Sequence, residues 1–169
     1  MDKNSNTYIF IYASVMVVLV AVILTSANLA LKPMQEKNKM NEKMINLLSS
    51  IGIEANAENA AELYNQYLVK EVVVDKAGNE TSVYNKGKLE IGKIRAFDVN
   101  LKAALKDAEK GGEGALPLFI MSDGQQTYYI IPLFGKGLWG PIYGNVALES
   151  DKNTIFGVNF GHDSETPGL

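Results

Sequence analysis

The sequence predicts an α+β fold in which a single N-terminal transmembrane helix is followed by an antiparallel sheet. Three observations predict it. An apolar run without any charge occupies residues 8–31, and helical periodicity continues after it to about residue 68. From Val69 onward, short β-rich runs alternate with turn sequences, and one further helical segment interrupts them.

The composition excludes several classes of protein. The chain has 169 residues, of which 47% are apolar and 21% charged, and its net charge is -3. Because Lys and Arg are not in excess, a phosphate backbone is not an expected partner, and we predict no binding of nucleic acid. The chain has no cysteine and one histidine, His162, which excludes disulfides, thiolate nucleophiles and sites built from several histidines. Any redox chemistry therefore requires an organic cofactor.

The apolar run at residues 8–31 predicts the transmembrane helix. A helix of this length reaches about 36 Å, which exceeds a hydrocarbon core of about 30 Å. Tyr8 and Tyr12 would lie at one membrane interface. A cleaved signal peptide is the alternative, because small residues occupy 27–30, but the run is longer than a usual signal core. We therefore divide the chain into a tail at 1–7, a membrane helix at 8–31 and a domain at 32–169.

The charges that flank the apolar run favour one orientation. Lys3 is the only basic residue before the run, whereas Lys32, Lys37, Lys39 and Lys43 follow it. Taken literally, the positive-inside rule keeps the C-terminal domain in the cytoplasm.

Three further helices follow from apolar spacing and from capping residues. Asp98 is a plausible N-cap for the third, which ends at the glycine-rich segment 111–114. The predicted helices are Met34–Ile51, with Met40, Met44, Leu47, Leu48 and Ile51 on its apolar face; Ala57–Leu68, with Ala61, Tyr64, Tyr67 and Leu68; and Asp98–Lys110, with Val99, Leu101, Ala104, Leu105 and Ala108.

Three hairpins are predicted for the sheet, each from two β-rich runs around a turn. The Asp123-Gly124 dipeptide in the second is the strongest of the turn signals. The predicted pairs are 71–75 with 81–84, 116–121 with 127–134, and 142–148 with 154–160.

Two loops contain residues that a plain connection does not need. Segment 134–141 places three glycines around Trp139, the single tryptophan, and such a loop allows a planar ring to approach the backbone. The alternative is a glycine-rich bend with Trp139 in the core. Segment 161–169 contains Thr166-Pro167-Gly168, a turn whose hydroxyl and N–H groups suit an anion or a carbonyl.

Other polar residues give weaker signals. His162 beside Asp163 has the arrangement of a general base, although a solvent-facing histidine is the commoner case. Glu149, Asp151 and Glu165 read as a solvated rim rather than a metal site. We assign no catalytic residue and no metal ligand.

The runs GKGLWGPIYGNVALESDKNTI (135–155) and ETPGL (165–169), after a single N-terminal span, resemble the C-subunit family of the sodium-translocating NADH:quinone oxidoreductases. The sister family, the G-type subunits of Rnf ferredoxin:NAD oxidoreductases, is the second interpretation. The resemblance implies a membrane-anchored FMN-binding domain that transfers electrons in a sodium-pumping complex. By match to the two motifs, it implies cofactor binding by Leu138, Trp139, Glu165, Thr166, Gly168 and Leu169.

The resemblance also implies how the cofactor is attached. In the family, FMN is esterified to a threonine of a Ser-Gly-Ala-Thr motif by a separate flavin transferase. This sequence lacks that motif, so we expect a longer protein in which the threonine lies downstream of residue 169. Trp139 and Thr166 are expected on the same side of the sheet, facing one ligand.

The implied partners are the other subunits of the respiratory complex, the flavin transferase and the lipid bilayer. The family places the domain on the periplasmic side of the bacterial inner membrane, against the lysine count. We follow the resemblance, because membrane partners can fix a topology that a weak charge bias does not. A non-enzymatic membrane-anchored scaffold stays open, since these residues contain no complete catalytic constellation.

Overall fold

The structure is a computed structural model that describes residues 5–85, 87–138 and 140–162. The chain forms two compact units, Met1–Met40 and Asn41–Leu169. The helices are α1 (Asn6–Ser50), α2 (Ala60–Tyr67) and α3 (Leu101–Glu109), with a 3₁₀ helix at Ala96–Asp98. The strands are β1 (Leu68–Val74), β2 (Glu80–Asn85), β3 (Lys88–Ile91), β4 (Leu116–Ser122), β5 (Thr127–Lys136), β6 (Pro141–Leu148) and β7 (Ile155–His162).

The first unit contains the apolar part of α1. An 18-residue window of this helix has a mean hydropathy of 2.6, and none of the window is buried within the protein. Among the described residues, α1 is the one helix that is long and apolar enough to cross a membrane, although a signal sequence near an N-terminus passes the same test of length and composition. The helix continues through Pro33, which lacks the N–H for one hydrogen bond of the ladder.

The second unit is built on a seven-stranded sheet of order β3-β2-β1-β4-β5-β6-β7, in which every neighbouring pair is antiparallel. The predicted α+β class and its antiparallel sheet are therefore confirmed. All three predicted hairpins form, as β1–β2, β4–β5 and β6–β7. Strand β3 was not predicted, because it has four residues, of which most are exposed and two are charged.

One face of the sheet, which we call the helix face, packs against the helices of this unit. The C-terminal turns of α1 contribute Leu47 and Leu48, and β5 and β6 contribute Ile130 and Ala147. Side chains alternate between faces along a strand. The intervening residues of β5, β6 and β7 therefore lie on the opposite face, which we call the open face.

Two predicted helices begin later than their sequences suggested. Helix α2 starts at Ala60 rather than Ala57, because the Asn56 side chain accepts hydrogen bonds from the Glu58 and Asn59 amides and holds residues 57–59 in a turn. Of the predicted apolar stripe, Tyr64, Tyr67 and Leu68 pack in the core, whereas Ala61 is exposed and Ala60 is buried in its place.

The predicted N-cap of the third helix is also wrong. Asp98 ends the 3₁₀ helix, and α3 begins at Leu101 with Asn100 as its N-cap. The Asn100 side chain accepts a hydrogen bond of 3.1 Å from the Ala103 amide. Asp and Asn are both strong N-cap residues, so the sequence signal was correct in type and displaced by two positions.

Candidate functional site

The register of the last three strands brings the two predicted site loops to one end of the sheet. Strand β5 ends at Lys136, which pairs with Pro141 at the start of β6. The next residue of β6, Ile142, pairs with His162 at the end of β7. The loop at 137–140, which leads into β6, and the segment after His162, which follows β7, are thus connected to neighbouring strands at the same end of the sheet.

The loop between β5 and β6 is closed by a hydrogen bond of 2.8 Å from the Gly137 amide to the Gly140 carbonyl. Leu138 is 89% exposed at its tip. Gly137 lies close to Ile142, since a Cβ atom on Gly137 would lie 2.9 Å from the Ile142 side chain. The glycine therefore permits the loop to fold back on the first residues of β6.

Of the predicted cofactor-binding residues, Leu138 is the one that the structure describes. Trp139, Glu165, Thr166, Gly168 and Leu169 lie outside the described residues. Their role, and the expectation that Trp139 and Thr166 face one ligand, stay predictions.

The open face next to this end of the sheet is apolar. In three successive rows across β5, β6 and β7, cross-strand neighbours are Ile131–Val146–Val158, Leu133–Gly144–Phe160 and Gly135–Ile142–His162. We call these nine residues the apolar grid. All of its aliphatic and aromatic side chains except Val146 are exposed, and none of the nine residues is acidic or is lysine or arginine.

Within the apolar grid, the Phe160 ring packs against Gly144 of the neighbouring strand. A Cβ atom on its partner Gly144 would lie 2.5 Å from Cδ1 and 3.0 Å from Cε1 of the Phe160 ring. The ring therefore lies across the glycine, in space that any other residue would occupy. Gly144 is buried, whereas Phe160 is 60% exposed. One side of the ring contacts the strand and much of the rest is open.

The glycine on the other side of the grid is unobstructed. A Cβ atom on Gly135 would meet nothing within 4 Å. The sequence indicated the loop at 134–141 by its glycines and its tryptophan. It did not indicate that Ile142, Gly144 and Phe160 lie beside this loop in the apolar grid. Apolar residues of β5 occur at both alternating positions, so the sequence did not indicate which of them the helices cover.

Asp151, one of the acidic residues near the β6–β7 turn, has a structural role. The Asp151 carboxylate accepts hydrogen bonds from the side chain and amide of Thr154 and from the Asn153 amide. These bonds hold the pKa of Asp151 below its usual range, the Thr154 side chain being the largest cause. Within the described residues, no group of three or more His, Cys, Asp or Glu could hold a metal ion.

A buried charged network lies on the helix face, away from the predicted loops. Glu71 is fully buried and accepts hydrogen bonds of 3.0 Å from the Tyr64 hydroxyl and from the Phe97 amide, and it forms an ion pair with Arg95. Burial, and then the charge of Glu71, raises the pKa of Tyr64. Lys43 of α1 donates to the Phe97 carbonyl, and burial lowers its pKa.

This network connects four elements of the second unit: the end of α1, helix α2, strand β1 and the 3₁₀ helix. Every polar atom named in it has a partner, which is the condition under which buried charges are tolerated. We therefore assign it to stability and not to the candidate site. It was not predicted, since charged residues distant in sequence gave no local signal.

Comparison with known proteins finds a match in the part of the chain that contains the last two strands of the sheet and the loops at their end. A family model described as FMN-binding domain matches residues 137–169. These residues comprise β6, β7, the predicted loop at 161–169 and the part of the predicted loop at 134–141 that starts at Gly137.

Relatives of known identity match over most of the chain. The C-subunit of the Na⁺-translocating NADH-quinone reductase of Neisseria meningitidis serogroup A is 31% identical over 175 residues, which cover 99% of this chain and 67% of the relative. The C-subunit of Vibrio alginolyticus is 27% identical over 153 residues, covering 88% and 60%. A solved structure of the C-subunit from Parabacteroides distasonis superposes with a TM-score of 0.66 at 32% identity, covering 82% of this chain and 61% of that one.

The fold and the matched segment define an α+β protein of the FMN-binding-domain class. More narrowly, the chain belongs to the C-subunit family of the Na⁺-translocating NADH-quinone reductases. It spans about 60% of the length of the first Vibrio relatives that it matches.

Proposed function

We propose that this chain is part of a membrane-anchored electron-transfer subunit that carries FMN in a sodium-pumping NADH:quinone oxidoreductase. The observation that carries the proposal is the pairing of Ile142 with His162, because both loops of the FMN-binding match begin at that end of the sheet. When bound, FMN supplies one-electron and two-electron redox chemistry, which suits a chain without cysteine.

The residues at this end of the sheet fit a flavin. The glycine loop at 137–140 permits close approach of a planar ring, and the apolar grid offers a surface of matching character. Leu138 extends from the loop into solvent, where it is available for contact. We propose that Leu138, Trp139, Glu165, Thr166, Gly168 and Leu169 border the isoalloxazine and ribityl parts of FMN.

Covalent attachment is the second part of the proposal. We infer that the flavin phosphate is esterified to a threonine beyond residue 169, installed by a flavin transferase. The greater length of the relatives supports this, since the chain covers 60% to 67% of them.

We further propose that residues 8–31 of α1 anchor the protein in the bacterial inner membrane, with the domain of residues 32–169 on the periplasmic side and the remaining subunits of the complex as partners. The length, the hydropathy and the absence of burial of this helix support anchoring.

The test is to express the full-length protein with its flavin transferase and to view a denaturing gel under ultraviolet light. We expect a fluorescent band, because an ester bond survives denaturation. The chain ending at Leu169 is the matched control and should stay dark. The Vibrio alginolyticus relative serves as a check that the transferase is active. A dark full-length band beside a fluorescent relative would contradict the proposal and favour the scaffold alternative.

A further inference from the structure

We propose that the ring of Phe160, seated across Gly144, is the platform on which the isoalloxazine ring of FMN packs, with Leu133 and Ile142 beside it. This inference rests on the proposed function and adds the face of the sheet and the residues that receive the ring.

The first argument is the exposure of apolar surface beside the matched loops. Contiguous apolar surface is unfavourable in water and marks a site of contact. Five side chains of the apolar grid are exposed, and no acidic or basic chain interrupts them except the terminal His162. Six of the nine grid residues lie within the segment that matches the FMN-binding domain, namely Ile142, Gly144, Val146, Val158, Phe160 and His162.

The second argument is shape. The grid spans three strands, or about 10 Å, and its successive rows are about 7 Å apart. This area is comparable with three fused six-membered rings. The Phe160 ring fills the space above Gly144 in the middle row, whereas nothing lies within 4 Å of the Cβ position of Gly135 in the row nearest the loops. A flat ring can therefore lie on the Phe160 ring and approach the backbone at Gly135.

The third argument is that the helix face is occupied at the same end of the sheet. A Cβ atom on Gly161 would lie 2.8 Å from the Tyr143 ring, so this ring covers Gly161. Tyr143 is only partly exposed, in contrast to Phe160. The open face therefore presents the Phe160 ring with one side exposed, and offset stacking of a second aromatic ring on that side is favourable.

The experiment compares Phe160→Ala with Ile155→Ala in the full-length, flavin-loaded protein. Both side chains are 60% exposed on β7, but Ile155 lies at the opposite end of the strand from the loops. The readout is the bimolecular constant for quenching of native flavin fluorescence by iodide, obtained from the Stern–Volmer slope divided by the fluorescence lifetime of each variant. We expect Phe160→Ala to raise it about two-fold or more, because the ring loses its apolar cover, and Ile155→Ala to leave it unchanged.

A second pair of variants keeps the inference testable if Phe160→Ala does not fold. Phe160→Trp preserves a flat platform, and an indole in contact with a flavin quenches its emission. We expect Phe160→Trp to emit less per bound flavin than Ile155→Trp, while its iodide constant stays that of the wild type.

The outcomes separate this inference from the proposed function. If the wild type carries flavin and the Phe160 and Ile155 variants behave alike, the platform is wrong and the proposed function stands. If the full-length wild type carries no flavin, the proposed function fails and the platform with it. An unchanged iodide constant in Phe160→Ala would mean that another surface receives the ring.

Discussion

At the scale of single residues, a glutamate forms an ion pair with a basic side chain in two environments. Arg95 pairs with Glu71, whose side chain is 0% exposed, whereas Lys70 pairs with Glu80, whose side chain is 49% exposed. The two glutamates lie on neighbouring strands of the same sheet. They therefore provide a matched comparison of what burial does to an ion pair.

We predict that Glu71→Ala lowers the free energy of unfolding by about 3–5 kcal/mol, because it leaves the Tyr64 hydroxyl, the Phe97 amide and the Arg95 guanidinium without their shared partner. Glu80→Ala should cost no more than about 1 kcal/mol, since solvent screens an exposed pair. Urea unfolding of the detergent-solubilised chain, followed by circular dichroism, measures both. If Glu71→Ala loses as little stability as Glu80→Ala, the buried network does not stabilise the helix face.

At the scale of elements, the contact of β7 with the end of α1 depends on a missing side chain. A Cβ atom on Gly157 would lie 2.5 Å from the carbonyl oxygen of Ser50. Backbone cannot give way as a flexible side chain can. We predict that Gly157→Ala costs about 1–3 kcal/mol of stability through this overlap.

The matched control for that substitution is Gly135→Ala on β5. Nothing lies within 4 Å of the Cβ position there, and Gly135 has no positive φ. The stability of the Gly135→Ala variant should stay the same or increase slightly, because alanine lowers the conformational entropy of the unfolded chain. Thermal unfolding of the two variants measures the difference, and an equal shift in both would argue against close packing of β7 on α1.

The elements that the sequence predicts well are those fixed by local hydrogen bonds. In the β4–β5 turn, the Asp123 side chain accepts from the amides of Gln125 and Gln126, and Gly124 takes a φ of 89°. All of this is encoded within four residues. The start of α3 depends instead on how residues 96–100 pack against the sheet, and a choice between Asp98 and Asn100 was not decided locally.

The candidate site divides in the same way. Glycine density and the tryptophan identified the loop at 137–140, and motif similarity identified the segment after His162. The packing of Phe160 on Gly144 could not be predicted from the sequence, because the β6–β7 register brings the two residues together. Which face the helices cover is likewise decided by contacts between distant parts of the chain.

At the scale of the whole molecule, the charges and the family resemblance predict opposite orientations of the membrane helix. Four lysines after the apolar run favour a cytoplasmic domain, whereas the resemblance implies a periplasmic one. The 169 residues contain no cysteine, so a single introduced thiol reports the location of its own segment without removal of any native thiol.

We predict that Glu109→Cys, at the exposed end of α3, reacts in intact cells with a maleimide that does not cross the inner membrane, because the proposed orientation places this domain outside. Asn6→Cys, at the start of α1, should react only after the membrane is permeabilised. The reverse pattern would put the domain in the cytoplasm and make the lysine count the better guide. Loss of the Asn6→Cys thiol from the mature protein, detected by its mass, would identify residues 8–31 as a cleaved signal instead of an anchor.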